Sequence, residues 1–372
     1  MEFSLSEEQK DVQNLARRIF QDHVTPKRLL QIEAGDEGID RQLWQLLADA
    51  NLLGAALPEE FGGSNLGLFE FCLVLEEAGR GPAPVPLLPV VLLAGLPIAT
   101  FGSPQQHAQY LPPLISGRTL LTAALVEAGS TEPARPRTVA RRDGSRWRLD
   151  GEKQCVPIGQ LAERILVPAR IGDDQVAIFL VDPDAAGVIR EAQRTTNREL
   201  QTRLLLSGAA VAQGDVLGSP AQGAAIVRWI EERAALGLCA LQLGVAERAL
   251  RLTAEYTASR KQFGRPIASF QGVALRAADA YIDVEAMRSM FWEAAWRLSA
   301  GLPATAEIAA AAWWACSAGQ RVVHTAQHLH GGIGADVDYP IHRYFLWAKQ
   351  IELTLGGAAT QLVRIGAHLP NV

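Results

Sequence analysis

Lysine is scarce in this chain: only five of its 35 basic residues are lysines, which we read as a coding bias rather than a functional feature. Net charge is −5, and no block of like charges interrupts the sequence. A nucleic-acid partner therefore needs a basic stripe that is not written here. Cysteine is also sparse. Cys72, Cys155, Cys239 and Cys316 are scattered without a C-x-x-C pair, which argues against a disulfide framework or a thiolate metal site and suits a reducing compartment. Long apolar runs are missing too. The most apolar stretch, Val85–Phe101, is too short to span a bilayer and is broken by Pro86, Pro89 and Pro97. The N-terminal segment "MEFSLSEEQKDVQNLARRIF" is amphipathic and has no apolar leader core. These absences lead us to expect a soluble, cytoplasmic protein with no membrane contact.

At 372 residues and 48% apolar composition, the chain is long enough for more than one core. Ser6–Gln9 has capping-box spacing and opens an amphipathic pattern at Val12, Leu15, Ala16 and Ile19–Phe20. Helical patterns follow over Asp40–Gly54 and Gly67–Gly81. From residue 121 the pattern alternates, with hairpin signals at Asp143-Gly144 and Asp173-Asp174 and further strands in "RLLLSGAAV" and "GDVLG". From 223 onward four helices are expected, over 223–258, 272–300, 304–330 and 343–368. Their short connectors make them antiparallel neighbours. The expected fold is α+β, with an N-terminal helical domain (1–120), a middle β domain (121–222) and a C-terminal four-helix bundle (223–372).

Two of the bundle connectors carry more chemistry than a turn requires. The first, "SRKQFGRPIASFQ" (Ser259–Gln271), combines cations, an aromatic ring and glutamines. Arg260 has the fork geometry to take two phosphate oxygens, Phe263 a face for an adenine or ribose, and Gln271 an amide at the next helix start. The second, "QHLHGGIGADVDYPIHRY" (Gln327–Tyr344), contains Gly331-Gly332, where backbone N–H groups are open to an anion. A dinucleotide pyrophosphate held between the two loops is one reading. A local ion pair at Arg260 with Phe263 plugging the bundle end is the other. His324, His328 and His330 have no fourth ligand at suitable spacing, so no metal is expected. Trp292, Trp296 and the Trp313-Trp314 pair read as bundle core or interface.

Together, R-x-x-F-G-x-x-x-x-x-x-Q and the downstream H-G-G-x-G loop resemble the acyl-CoA dehydrogenase family, and the order of helical, β and bundle segments is similar along the whole chain. The resemblance implies FAD as cofactor and oxidation of an acyl-CoA thioester to the trans-2-enoyl-CoA. A carboxylate takes the α proton, and the flavin accepts the β hydrogen as hydride. It further implies that Arg260, Phe263, Gln271, His328, Gly331 and Gly332, assisted by Gln262, Gln327 and His330, hold the ADP half of an FAD seated on a neighbouring subunit. The Gly81–Gly95 stretch falls where family members line the acyl pocket.

The sequence departs from the family in a sorted way. The usual catalytic glutamate position falls on Leu355, followed by Gly356 and Gly357. The alternative position falls on Ala234, with Glu231 and Glu232 close by and Glu247 further along the same helix; Glu352 lies one turn before Leu355. The family's T-E-P-G-x-G-S-D element reads Val126-Glu127-Ala128-Gly129-Ser130-Thr131, and its W-I-T element reads Cys155-Val156-Pro157. The groups lent to a neighbour are kept, and those used at home are lost. The expectation is an FAD-sharing subunit of a heteromeric acyl-CoA dehydrogenase, paired as α2β2 with a homologous subunit, acting on a steroid or other bulky side-chain CoA thioester. Two alternatives stay open: a self-sufficient homotetramer with Glu232 or Glu247 as relocated base, and a non-catalytic assembly or acyl-CoA-binding partner.

Overall fold

The structure is a computed structural model that describes residues 4–172 and 175–368. The chain opens with α1 (Glu7–His23), whose capping box forms as its sequence requires: Gln9 N donates to Ser6 Oγ at 3.2 Å and Ser6 N to Gln9 Oε1 at 2.9 Å. Helices α2 (Pro26–Glu33), α3 (Arg41–Asp49) and α4 (Leu68–Arg80) follow. The second expected helix stops at Asp49 rather than at Gly54. Asn51 takes a left-handed φ of 55° and turns the chain before the glycine is reached. The proline-broken apolar stretch forms a π-helical segment (Leu88–Gly95) that continues into α5 (Leu96–Phe101), and α6 (Pro104–Ile115) follows.

The strands are β1 (Leu121–Ala123), β2 (Val139–Asp143), β3 (Arg146–Pro157), β4 (Arg164–Ile171), β5 (Gln175–Val181), β6 (Val188–Arg194), β7 (Leu200–Ala212) and β8 (Val216–Leu217). They form a mixed sheet in the order β6-β7-β3-β2-β4-β5-β8, in which β1 and β2 both run parallel to β4. Gly144, at φ 58°, makes the expected turn between β2 and β3. The expected turn at Asp173-Asp174 lies outside the described residues. Strands β4 and β5 are buried along nearly their whole length, as their unbroken apolar runs require. The edge strand β6, mostly polar and exposed, has no such signal.

After the sheet come α7 (Gly223–Ser259), a two-stranded ribbon of β9 (Lys261–Gln262) and β10 (Arg265–Pro266), α8 (Gln271–Ser299), α9 (Thr305–His330), α10 (Ile341–Thr354) and α11 (Gly357–Gly366). The fourth bundle helix, expected as one piece over 343–368, is two. Gly356 and Gly357 adopt φ of 86° and 80°, which an α-helix does not accommodate. This is the family's fold of helical N-terminal domain, central β sheet and C-terminal helical domain. No described helix is long and apolar enough to cross a membrane.

Contacts within the described chain group it into two compact units, one drawn from 1–31, 68–83 and 235–372 and the other from 32–67 and 84–234. In the first, α4 and α7 touch backbone to backbone. A Cβ on Gly79 would lie 2.2 Å from Leu241 O, and one on Gly244 would lie 1.9 Å from Glu76 O. Beside this crossing sits a charge cluster that ties four helices. Arg17 of α1 grips Glu77 of α4 at 2.8 Å, and Arg80 of α4 reaches Glu76 at 2.7 Å. Arg288 of α8 and Arg80 both reach Glu247 of α7. In the second unit, Leu149, Ile165, Val167, Phe179 and Leu204 fill the sheet core.

Candidate functional site

The first bundle connector folds as the β9–β10 ribbon, with Lys261 opposite Pro266 and Gln262 opposite Arg265. Its two-residue tip, Phe263-Gly264, has φ of 53° and 78°, so both central residues are left-handed, as in a type I′ turn. Glycine adopts that geometry freely, whereas a bulky aromatic does so against strain. Phe263 is nonetheless 92% exposed, and among the described residues its one ring contact is to Phe270 at 6.2 Å. A strained ring held out in solvent is not a plug for the bundle end. Arg265 lies over the Phe270 ring at 4.3 Å and stiffens the base of the ribbon. Arg260, Gln262 and Gln271 are all exposed, and the Arg260 guanidinium has no hydrogen bond or ion pair among the described residues.

The second connector begins where α9 ends. Gly331, at φ 64° and ψ −143°, holds a conformation open to glycine alone. Added Cβ atoms at Gly331 or Gly332 would meet nothing within 4 Å among the described residues, so this backbone is open on that side. Beneath it, His330 is buried and its ring stacks on Tyr256 at 4.5 Å, with Tyr339 at 5.3 Å. Its Nδ1 lies 2.8 Å from Ala326 O, which assigns the ring proton to Nδ1 and leaves Nε2 a buried acceptor without a partner among the described residues. Burial pushes the imidazole pKa down, against the opposing pull of Ala326 O. Gln327 donates to Gly334 O and closes the loop from within, so it supports the backbone rather than facing outward.

Two contacts bring these connectors to one end of the bundle. Tyr256, one turn before Arg260, stacks on His330, and Arg276 Nη1, in the second turn of α8, lies 3.3 Å from His328 Nδ1. Arg276 and Tyr256 were not singled out in the sequence, since neither falls within a loop pattern. Only their helical offset from the loops places them there. No group of three His, Cys, Asp or Glu side chains among the described residues is placed to hold a metal ion.

The carboxylates are engaged elsewhere. Leu355 ends α10, buried and without a proton acceptor. Glu352 is bound by Lys349 at 2.6 Å. Glu247 lies between Arg80 and Arg288; burial would raise its pKa, but the two guanidinium groups outweigh that and hold it below the usual carboxylate range. In the second unit, Glu232 lies 3.8 Å from Arg233, whose guanidinium covers the Trp229 ring at 3.7 Å. Glu231 and Ala234 are on the same stretch of α7, both half-buried.

The remaining elements belong to the sheet unit, and there the kept glutamate is inward. Glu127 Oε1 accepts from Lys153 Nζ and Thr138 Oγ1, each at 2.6 Å, and from Thr138 N at 3.0 Å. Arg137 donates to the carbonyls of Ala128 and Gly129, both at 3.0 Å, and so occupies the loop's outward oxygens. Cys155 and Ile158, around Pro157, take left-handed φ of 50° and 48° and distort the end of β3.

Comparison with known proteins assigns this architecture. The family models for the acyl-CoA dehydrogenase N-terminal and C-terminal domains match residues 6–118 and 221–369. The acyl-CoA dehydrogenase FadE27 of Mycobacterium tuberculosis is 40% identical, covering 99% of both chains. Among solved structures, a variant of the Tcur3481–Tcur3483 steroid ACAD is 46% identical with TM-score 0.91 over 98% of both chains. The ChsE4–ChsE5 complex from Mycobacterium tuberculosis is 40% identical with TM-score 0.93 over the full length of both. The chain belongs to the acyl-CoA dehydrogenase family of FAD-binding oxidoreductases.

Proposed function

We propose that this chain is the FAD-sharing subunit of a cytoplasmic, heteromeric acyl-CoA dehydrogenase, assembled as α2β2 with a homologous subunit that carries the flavin-ring pocket and the base. One contrast supports this reading. The residues present fit the ADP half of the cofactor: a solvent-facing guanidinium at Arg260, a projecting ring at Phe263, and glycine backbone at Gly331-Gly332 with nothing in front of it. They do not fit the ring half: Glu127 is consumed by Lys153 and Thr138, the loop carbonyls by Arg137, and Leu355 stands in the base position. FAD bound in the complex supplies the hydride acceptor. This chain's contribution is to bind and orient the nucleotide end with Arg260, Phe263, Gln271, His328 and the Gly331-Gly332 backbone, while Gln262, Gln327 and His330 shape the two loops.

The division into domains at 1–120, 121–222 and 223–372 belongs to the same reading. The relatives named as a steroid ACAD and as a two-component complex support a heteromer and favour a steroid or similarly bulky side-chain CoA thioester as substrate. Glu247 is a weak candidate for a relocated base, since its oxygens are already claimed by two arginines.

The test is flavin stoichiometry. The chain purified alone is expected to carry little FAD and to show no dehydrogenase turnover. Coexpressed with its homologous partner, it should yield one FAD per heterodimer. A yellow homomer with one FAD per chain, each reduced by an acyl-CoA, overturns the proposal.

A further inference from the structure

His328 lies in the last turn of α9, just before Gly331, and its ring is exposed. A neutral imidazole has one N–H donor and one bare nitrogen, and solvent alone leaves both tautomers populated. Across the helix pair, Arg276 Nη1 lies 3.3 Å from His328 Nδ1. A guanidinium carries only donors and keeps its charge throughout the working range of pH. Nδ1 is therefore the bare, accepting nitrogen, and the ring proton stands on Nε2. His330 in the same turn has the opposite arrangement, since its Nδ1 donates to Ala326 O. Two neighbouring histidines are thus set in opposite tautomers by different partners.

Arg276 has no other partner among the described residues. Asp279 stands at the spacing of a helical ion pair, yet the two form none there. Nε2 of His328 likewise makes no hydrogen bond among the described residues. The result is a fixed, unspent N–H donor in the turn that leads into the Gly331-Gly332 backbone. Such a donor meets only an acceptor, a phosphate or ribose oxygen or a ring nitrogen, and not the adenine amino group.

We infer that Arg276 is a positioning residue for nucleotide binding: it holds His328 with Nδ1 bare, so that Nε2–H donates to an acceptor on the ADP half of the shared FAD. This rests on the reading that the two connectors hold that half.

Nitrogen NMR of the full-length chain, labelled in its histidines, reads the tautomer, with the His328 signals assigned through His328→Gln. At mildly alkaline pH, Nδ1 of His328 should report as bare and Nε2 as protonated. Arg276→Met should move both signals toward the average of the two forms with an unchanged circular dichroism spectrum. Arg276→Lys, which also offers only donors, should hold them in place. Equilibrium flavin release from the complex with the homologous subunit gives the second readout. His328→Ala should weaken retention by about tenfold or more, and Arg276→Ala by roughly threefold to tenfold, the range for one hydrogen bond. Beside His328→Ala, Arg276→Ala should cost almost nothing further. Nitrogen signals indifferent to Arg276→Met overturn the inference. So does a cost of Arg276→Ala that persists undiminished beside His328→Ala, which would mean that Arg276 meets the nucleotide itself. Retention that falls with Arg260→Ala but not with His328→Ala overturns it too and leaves the shared flavin standing, whereas one FAD per chain in a homomer removes the reading beneath it as well.

Discussion

Glu247 and Arg288 are joined by a 2.6 Å bond between Oε2 and Nη2, and Arg80 Nη2 lies at the same distance from the same oxygen. A carboxylate fixed by two guanidinium groups is a structural counter-ion, not a proton acceptor awaiting substrate. Glu247→Gln should therefore lower stability by about 1–3 kcal/mol, the range for hydrogen bonds to charged groups, and leave turnover per bound flavin in the complex unchanged. The pH dependence follows from the direction of the pKa. A carboxyl held below its usual value contributes stability in full above its unfolded pKa, near 4.3, and loses it as pH falls through the lower folded value. The variant should thus show a flatter acid limb below about pH 4. Thermal unfolding over that range, paired with turnover normalised to flavin, measures both.

Lys153 is fully buried and reaches Glu127 at 2.6 Å within the sheet unit. Burial pulls the lysine pKa down and Glu127 pulls it back, so the pair survives only intact. Lys153→Met leaves a buried carboxylate without its cation and should cost about 3–5 kcal/mol. Adding Glu127→Gln to that variant removes the stranded charge and should recover part of the loss. A double-mutant cycle in denaturant checks the coupling.

The sequence made most of this architecture legible wherever local chemistry and packing agree. The Ser6–Gln9 box, the Gly144 turn and the apolar runs of β4 and β5 all form as written. It failed where one residue's backbone angle decides the outcome. Asn51 ends α3 early, and Gly356-Gly357 divide the last bundle helix, although the apolar periodicity runs across both breaks. Strand β6 was missed because an exposed edge strand needs no apolar face. The connector residues were visible as a pattern, but their support was not. Tyr256 beneath His330 and Arg276 beside His328 are contacts between helices, which spacing along one helix does not reveal.

His330 is expected to make the second connector sensitive to acid. The buried ring holds its proton on Nδ1, and among the described residues Nε2 faces no acceptor for a second proton. With a folded pKa below the ordinary value of 6.5, the histidine contributes stability in full above about pH 6.5 and loses it as pH falls through the folded value. The melting temperature of the complex should fall between about pH 6.5 and 5, a window above the main carboxylate titrations. His330→Phe, which keeps the stacking with Tyr256, should remove most of that slope. A slope unchanged in the variant would assign the effect to another group.

Phe263 offers the sharpest separation of binding from stability. Its left-handed φ of 53° costs an L-residue with a bulky side chain on the order of 1 kcal/mol, and a ring 92% exposed recovers little of that from packing. Phe263→Asn places a residue that tolerates this conformation at the same turn, so the isolated chain should gain stability by a few tenths to about 1 kcal/mol. The same change should reduce flavin retention in the complex, because the stacking face is gone. Arg260→Ala should weaken retention by about 1.5–3 kcal/mol through loss of a charged contact, with the melting temperature of the chain alone hardly moved, since that guanidinium makes no hydrogen bond or ion pair among the described residues. Equilibrium flavin release from the complex and unfolding of the chain alone read the two quantities separately. If Phe263→Asn destabilises the chain and leaves flavin retention intact, the ring is a structural element of the bundle end and the nucleotide lies elsewhere.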